Sequence, residues 1–145
     1  KLTLTAFLIK IMAAALNVHP KFNSSLDLAN NRLVLKKYIN IGVAMDTERG
    51  LVVPVIRNAN SLNVIKIAQA IGQLAERAKA GKISPDDMQG GGMTITNIGA
   101  LAGSYFTPIV NYPEVAILGV GRATSQPVLV DGFFQPRLML EEVLG

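Results

Sequence analysis

Apolar residues recur along this chain with two different periods, and the switches between them mark out its elements. From Thr3 to Val18, Leu4, Phe7, Leu8, Ile11, Ala15 and Leu16 fall at spacings of three and four, which predicts a helix with one wide apolar stripe. Thr3 or Thr5 is placed to cap it and Pro20 to end it. Ser61 to Ala80 carries the second helical pattern, through Leu62, Ile65, Ala68, Ile71 or Gly72, Leu74 or Ala75, and Ala78. Ser61 is its expected N-cap and Gly81 its C-terminal stop. Ser84-Pro85-Asp86-Asp87 reads as N-cap, proline and acidic first turn of a short third helix.

Elsewhere the period drops to two. Lys21 to Asp27 reads as extended, with a return over Leu33 to Leu35 after the Asn30-Asn31 turn. Tyr38 to Asp46 alternates, with Ile39, Ile41, Val43 and Met45 on one face; Leu51 to Ile56 follows after the Thr47-Glu48-Arg49-Gly50 turn. Pro54 inside that run argues for an edge position or a break in the ladder. Further strands are expected at Met93 to Asn97, Glu114 to Val120, Gln126 to Val130 and Phe133 to Leu140, with Asp131-Gly132 as a hairpin turn. Strands, a long helix and strands again predict a mixed sheet with helices packed on it, an α/β fold.

Composition narrows this picture. At 145 residues one domain is expected, and half the residues are hydrophobic (50%) against 17% charged, with a mean hydropathy of +0.35. That excludes a disordered chain, and it leads us to expect part of the apolar surface to be an interface. The apolar stretch Ile11 to Leu16 is too short to span a bilayer, so no membrane role is expected. No signal-peptide pattern is seen, and the absence of an initiator Met leads us to expect a fragment of a longer protein. With no Cys, disulfides, thiolate metal sites and a Cys nucleophile are excluded, and a single His leaves no basis for a metal site. The net charge of +4 comes from scattered residues with small groups at Arg32/Lys36/Lys37 and Lys79/Lys82. Without interleaved aromatics these read as solvated surface rather than a nucleic-acid site.

The richest stretch chemically is Gly90 to Gly99. Three glycines, Gly90, Gly91 and Gly92, permit a sharp turn or a close approach, and Thr94 and Thr96 follow on one side of a short strand. A hydroxyl at the end of a strand beside such a turn is suited to stabilising a developing charge. Phe106-Thr107-Pro108-Ile109-Val110-Asn111 and Tyr112-Pro113 make a rigid apolar corner before a fully apolar strand. His19, the one histidine, ends the first helix in Asn17-Val18-His19-Pro20, a structural position. Gly119-Val120-Gly121 opens no helix and lacks the third glycine of a dinucleotide fingerprint.

These motifs resemble, in order, the catalytic domain of the dihydrolipoyl acyltransferases of 2-oxo acid dehydrogenase complexes. The resemblance rests on Phe22-Asn23-Ser24-Ser25-Leu26-Asp27, Tyr38 to Ala44, Gly50 to Ile56, Gly90 to Gly99 and Ser104 to Gly121, and it runs to about Leu140. It implies a chloramphenicol-acetyltransferase-like two-layer sandwich, a mixed sheet flanked by helices. It implies trimers joined into a larger hollow core, with the active channel between subunits. The implied reaction moves an acyl group, acetyl or succinyl, between a lipoyl arm carried by another domain and coenzyme A, in the bacterial cytoplasm or the mitochondrial matrix. Thr96 stands at the position implied to donate to the oxyanion. Phe106, Pro108 and Asn111 would line the channel, Ser25 and Asp27 would lie beside it, and Pro54, Arg57 and Lys37 would lie near coenzyme A.

The family also carries a His-x-x-x-Asp-Gly motif whose histidine takes the proton from the coenzyme A thiol, and no such motif occurs here. The expectation is therefore a partial catalytic domain over residues 1–145, truncated at both ends and inactive by itself. A non-catalytic scaffold subunit of the same complexes is the alternative. The adjacent Glu141 and Glu142 look like a poor continuation of a core strand, which favours truncation over an evolved scaffold. An open sheet edge would then make the isolated chain prone to association.

Overall fold

The computed structural model describes residues 2–99 and 106–145. The Ser104-Tyr105 start of the second motif run lies outside the described residues. Within them the chain forms two α-helices, α1 (Leu4–Val18) and α2 (Val64–Lys79), and nine strands. The first strands are β1 (Ser24–Asp27), β2 (Arg32–Leu35), β3 (Ile41–Val43), β4 (Met45–Thr47), β5 (Gly50–Val52) and β6 (Val55–Ile56). After α2 come β7 (Met93–Asn97), β8 (Ile117–Val130) and β9 (Phe133–Leu144). A five-stranded mixed sheet runs in the order β6-β3-β7-β8-β9, and β1-β2 and β4-β5 form two separate hairpins. The β3, β7 and β8 strands are parallel neighbours, while β6 and β9 flank them antiparallel.

Strand alternation divides this sheet into two chemically different faces. Ile41, Val43, Met93, Ile95 and Val120 join Ala6, Ile9, Met12, Ala13 and Leu16 of α1 and Ile67 of α2 in one core. Each fully buried isoleucine in it contributes about 1.5–3 kcal/mol. The intervening residues, Gly42, Thr94, Thr96 and Gly119, point away from the helices. Lys10 helps hold the helical layer, donating to the carbonyls of Asn60 (2.9 Å) and Leu62 (2.7 Å) ahead of α2.

Local signals set many boundaries. The N–H of His19 closes α1 onto the Ala15 carbonyl at 2.8 Å, and Gly81 ends α2 with φ +65°. A reciprocal capping box joins Ser84 and Asp87 at the short 3-10 turn Pro85–Met88. Asp131 and Gly132 both take positive φ, the geometry of a two-residue hairpin turn.

Other expectations need correcting. The predicted stripe of α1 is mostly exposed: Leu4, Phe7 and Ile11 face outward, and the buried side is Ala6, Ile9, Met12, Ala13 and Leu16, of which only Leu16 belonged to that stripe. This helix is apolar nearly all round, so period alone did not choose its inner face. In α2 the buried anchor is Ile67 and Ile65 is exposed. Its N-cap is Asn63, which accepts from Lys66 N–H at 2.8 Å; Ser61 instead ends a preceding 3-10 turn and donates to the Asn58 carbonyl at 2.8 Å. The two expected strands after Tyr38 each split in two, at Ala44 and at Val53-Pro54. The Pro54 carbonyl nevertheless accepts from Val43 N–H at 2.9 Å, and β6 lies at the sheet edge. The glutamates at 141 and 142 both lie within β9, at its register shift: Glu142 is exposed opposite Val120, while one Glu141 carboxylate oxygen is buried beside Gly121 without a hydrogen-bond partner among the described residues.

Candidate active site

The helix-free face of the sheet carries a cavity of about 420 Å³. Its floor is Thr94 and Thr96 of β7 and Ile117 of β8; Phe106, Pro108 and Asn111 close over it. Alternation aims both threonines there while Met93 and Ile95 enter the helical core. The parallel register sets Thr96 opposite Gly119, which lets the apolar corner come down onto the strand. A Cβ at Gly119 would stand 2.7 and 2.9 Å from carbons of the Phe106 ring and 3.2 Å from Pro108 Cγ. The corner itself turns at Asn111, whose carbonyl accepts from Glu114 N–H at 2.9 Å.

Four candidate residues thus meet at one place: Thr96, Phe106, Pro108 and Asn111. Ser25 lies just behind, bridged antiparallel to Glu114. Asp27, Pro54 and Arg57 are not among the residues lining the cavity. Asp27 shapes the β1–β2 turn, accepting from Asn30 N–H (3.2 Å) and Nδ2 (2.9 Å). Pro54 is fully buried beside β3. The exposed Arg57 donates to the Asp86 carbonyl at 3.0 Å and runs beside Gly90; Lys37 is exposed. His19 borders a different, apolar groove between α1 and the end of β9, with Leu16, Phe22 and Leu144. No group of three or more His, Cys, Asp or Glu side chains able to hold a metal occurs among the described residues.

Behind the cavity floor lies a polar cluster that the sequence pattern did not single out. Glu114 is only 8% exposed and Thr94 1%, and the Thr94 hydroxyl donates to Glu114 Oε2 at 2.7 Å. Burial pushes the Glu114 carboxyl above its ordinary value, while the Thr94 hydrogen bond and the nearby Lys36 ammonium pull it back. Burial likewise lowers Lys36, against the attraction of Glu114. Lys36 Nζ donates to the Gly91 carbonyl at 2.6 Å, and Asn40 Nδ2 to that of Gly90 at 2.9 Å.

This cluster accounts for the glycine run. A Cβ on Gly91 would enter the Glu114 carboxylate, and one on Gly92 would enter the side-chain amide of the buried Asn23. Gly91 and Gly92 therefore admit side chains of their own chain. The sequence did hold a signal for Glu114: a lone carboxylate between a proline corner and a run of buried apolar residues.

Comparison with known proteins agrees with this architecture. The family described as 2-oxoacid dehydrogenases acyltransferase (catalytic domain) matches residues 1–144. The acetyltransferase component (dihydrolipoyllysine-residue) of the pyruvate dehydrogenase complex of Cupriavidus necator is 52% identical over 140 residues, 97% of this chain and 25% of that protein. One solved structure comes from crystallographic and enzymatic work on a serine, a histidine and an asparagine in the mechanism of Azotobacter vinelandii dihydrolipoamide acetyltransferase. It superposes with a TM-score of 0.94 at 50% identity, over 99% of this chain and 59% of that one. The cubic core of a pyruvate dehydrogenase multienzyme complex gives the same TM-score, 0.94, identity, 50%, and coverage, 99% and 59%.

The architecture is that of an acyltransferase core. The chain belongs to the 2-oxoacid dehydrogenase acyltransferase catalytic-domain family. It spans about a quarter of the length of the curated relatives it matches.

Proposed function

We propose that the intact protein moves an acetyl group between a dihydrolipoyl arm and coenzyme A within a 2-oxo acid dehydrogenase complex, and that this chain supplies the oxyanion side of the site. The observation that carries the reading is the convergence of the Thr96 hydroxyl with the apolar wall of Phe106, Pro108 and Asn111 over one cavity. A largely apolar cavity of about 420 Å³ suits a thioester on a slender arm, with the nucleotide end of coenzyme A outside.

In this mechanism the coenzyme A thiolate attacks the carbonyl carbon of the acetyl thioester. The carbonyl oxygen takes the negative charge and accepts a hydrogen bond from Thr96. Collapse of the intermediate breaks the bond to the dihydrolipoyl sulfur, which leaves as a thiolate and takes up a proton. A thiol with an ordinary pKa of about 8.5 needs a base for this. The histidine that the family resemblance implies as base, in a His-x-x-x-Asp-Gly motif, is not among these 145 residues. His19 borders the other groove, so the base comes from elsewhere in the assembly. Arg57 keeps an exposed guanidinium beside the glycine turn, suited to a phosphate of coenzyme A. Ser25 braces the turn that carries the cavity wall through its bridge to Glu114.

The test is acetyl transfer from acetyl-dihydrolipoamide to coenzyme A by the full-length protein. Thr96→Ala is expected to lower kcat about 10²–10³-fold, the typical effect of losing one oxyanion donor. An unchanged kcat would remove Thr96 from the mechanism. Equal turnover of a succinyl donor would overturn the acetyl assignment, which rests on the relatives named as acetyltransferases.

A second role, core scaffold built from trimers, is favoured by a different observation. The outer part of the β8–β9 hairpin exposes Leu129, Phe133, Phe134 and Leu138, more apolar surface than a lone domain ordinarily shows to water. The two roles are compatible in one protein, and light scattering on the full-length protein tests the second.

A further inference from the structure

Glu114 is largely buried and does not line the cavity, and the reaction outlined above does not use it. Its connections all lead to the two walls of the cavity. Through Oε2 it accepts from Thr94, two residues before Thr96 on the same face of β7. Through its backbone N–H it closes the turn onto the carbonyl of Asn111, a residue of the cavity wall. The same turn is strapped to β1 by the Ser25–Glu114 bridge and by Leu26 N–H, which donates to the Pro113 carbonyl at 3.3 Å. The Lys36 ammonium, fixed on the Gly91 carbonyl, supplies the nearby positive charge.

We propose that Glu114 is a positioning residue: by holding Thr94 of β7 on one side and the Asn111 turn on the other, it sets how the Thr96 hydroxyl faces the opposite wall of the cavity. The catalytic consequence rests on the acyl-transfer reading; the anchoring does not. Stability alone does not explain a carboxylate at this place. Apolar side chains of similar volume usually replace a buried charged pair at no loss of stability. What they cannot reproduce is a directional hydrogen bond from the Thr94 side chain in β7 to the residue that closes the Asn111 turn. Thr96 shares that face of β7, so a displacement of the strand at Thr94 moves the Thr96 side chain relative to the opposite wall.

The experiment compares Glu114→Ala, Glu114→Gln and Thr94→Val in the full-length protein, with kcat and KM measured separately and amide hydrogen exchange on the same samples. Glu114→Ala and Thr94→Val are expected to lower kcat about ten- to hundredfold, the scale of a misplaced catalytic group, while KM moves by less than about threefold. Glu114→Gln keeps an oxygen to accept from Thr94 and recovers most of the lost kcat. Exchange at the Leu26 and Thr96 amides speeds up in the Ala and Val variants, while amides in α1 and α2 keep wild-type rates. A kcat per folded molecule that is unchanged in both variants, or a Gln variant as impaired as Ala, overturns the proposal. So does wild-type exchange at Leu26 and Thr96. If the wild type transfers no acetyl group, the acyl-transfer reading fails, and the exchange data still decide whether Glu114 anchors the two walls.

Discussion

The two ends of the β8–β9 hairpin are built from similar residues and live in opposite environments. At the inner end, Ile117 and Val120 are buried, Gly119 sits opposite Thr96, and the strand is flanked by β7 on one side and β9 on the other. Beyond the register shift between Val120 and Ala123, the same two strands continue as a ribbon, on which Phe133 and Phe134 are 75% and 74% exposed. Residue type is not what separates them. The inner end has helices over one face and the Phe106–Asn111 corner over the other; the outer end has neither. Burial here follows what the rest of the fold brings to each face, and the outer end is surface suited to a second chain.

The sharpest way to break the inner end is to add atoms where the corner rests on it. Gly119→Ala places a methyl group 2.7 Å from the Phe106 ring and 3.2 Å from Pro108. Overpacking of this kind costs about 1–3 kcal/mol, and Gly119→Val costs more. Urea denaturation of the variants measures it, and acetyl transfer should fall with it because the same two residues wall the cavity. A Gly119→Val protein of wild-type stability and activity would show that the corner does not rest on β8.

The polar cluster at the inner end is predicted to show in the pH dependence of stability. The folded Glu114 carboxyl lies above its ordinary value of 4.5, chiefly because it is buried. A group raised in this way contributes stability that is fully present below its unfolded value and is lost as pH rises through the folded one. Lys36, lowered chiefly by burial, contributes stability only above its ordinary 10.5, lost as pH falls through its folded value. Both groups therefore cost stability across neutral pH. The neutral pair Lys36→Met/Glu114→Gln is expected to gain melting temperature relative to wild type as pH rises from about 4 to 7. A difference between the two proteins that stays constant over this window would mean that the Glu114 carboxylate is not held out of water.

How much of this was legible in the sequence depended on how local the cause was. The Asp131-Gly132 turn, the Ser84 N-cap and the Gly81 stop each involve a few adjacent residues, and each was readable. The N-cap of α2 was not: the expected Ser61 ends a preceding 3-10 turn, and Asn63, whose side chain can cap equally well, takes the position. The inner face of α1 was hidden by apolar residues on every side of it. At the site, the position of Thr96 on a short strand after the glycine run was legible from its motif. The meeting of Thr96 with Phe106, Pro108 and Asn111 depends on the parallel pairing of β7 with β8, a contact between segments that no single window contains. The Glu114–Thr94 bond has the same origin. The glycine run was read as a sharp turn or a close approach, and the groups that approach Gly91 and Gly92, Glu114 and Asn23, come from after the apolar corner and before β1.

The smallest effect on the folded chain belongs to the outer end, and it completes the contrast. Phe133→Thr, Phe134→Thr and Leu138→Thr keep residues that favour strands while removing the exposed apolar surface. Phe134 and Leu138 lie at even spacing on one face of β9 and Phe133 lies on the other, so the triple variant strips both faces. Because none of these side chains is covered within the chain, stability in dilute solution should change by no more than about 0.5 kcal/mol per site. Self-association should change far more. If the ribbon is an interface, light scattering on the full-length triple variant will give a smaller particle than wild type, with catalysis at the inner end affected only as far as assembly supplies the base. If the particle is unchanged in size and the variant is instead strongly destabilised, the ribbon is part of the chain's own core after all, and the two ends of the hairpin differ less than their exposure implies.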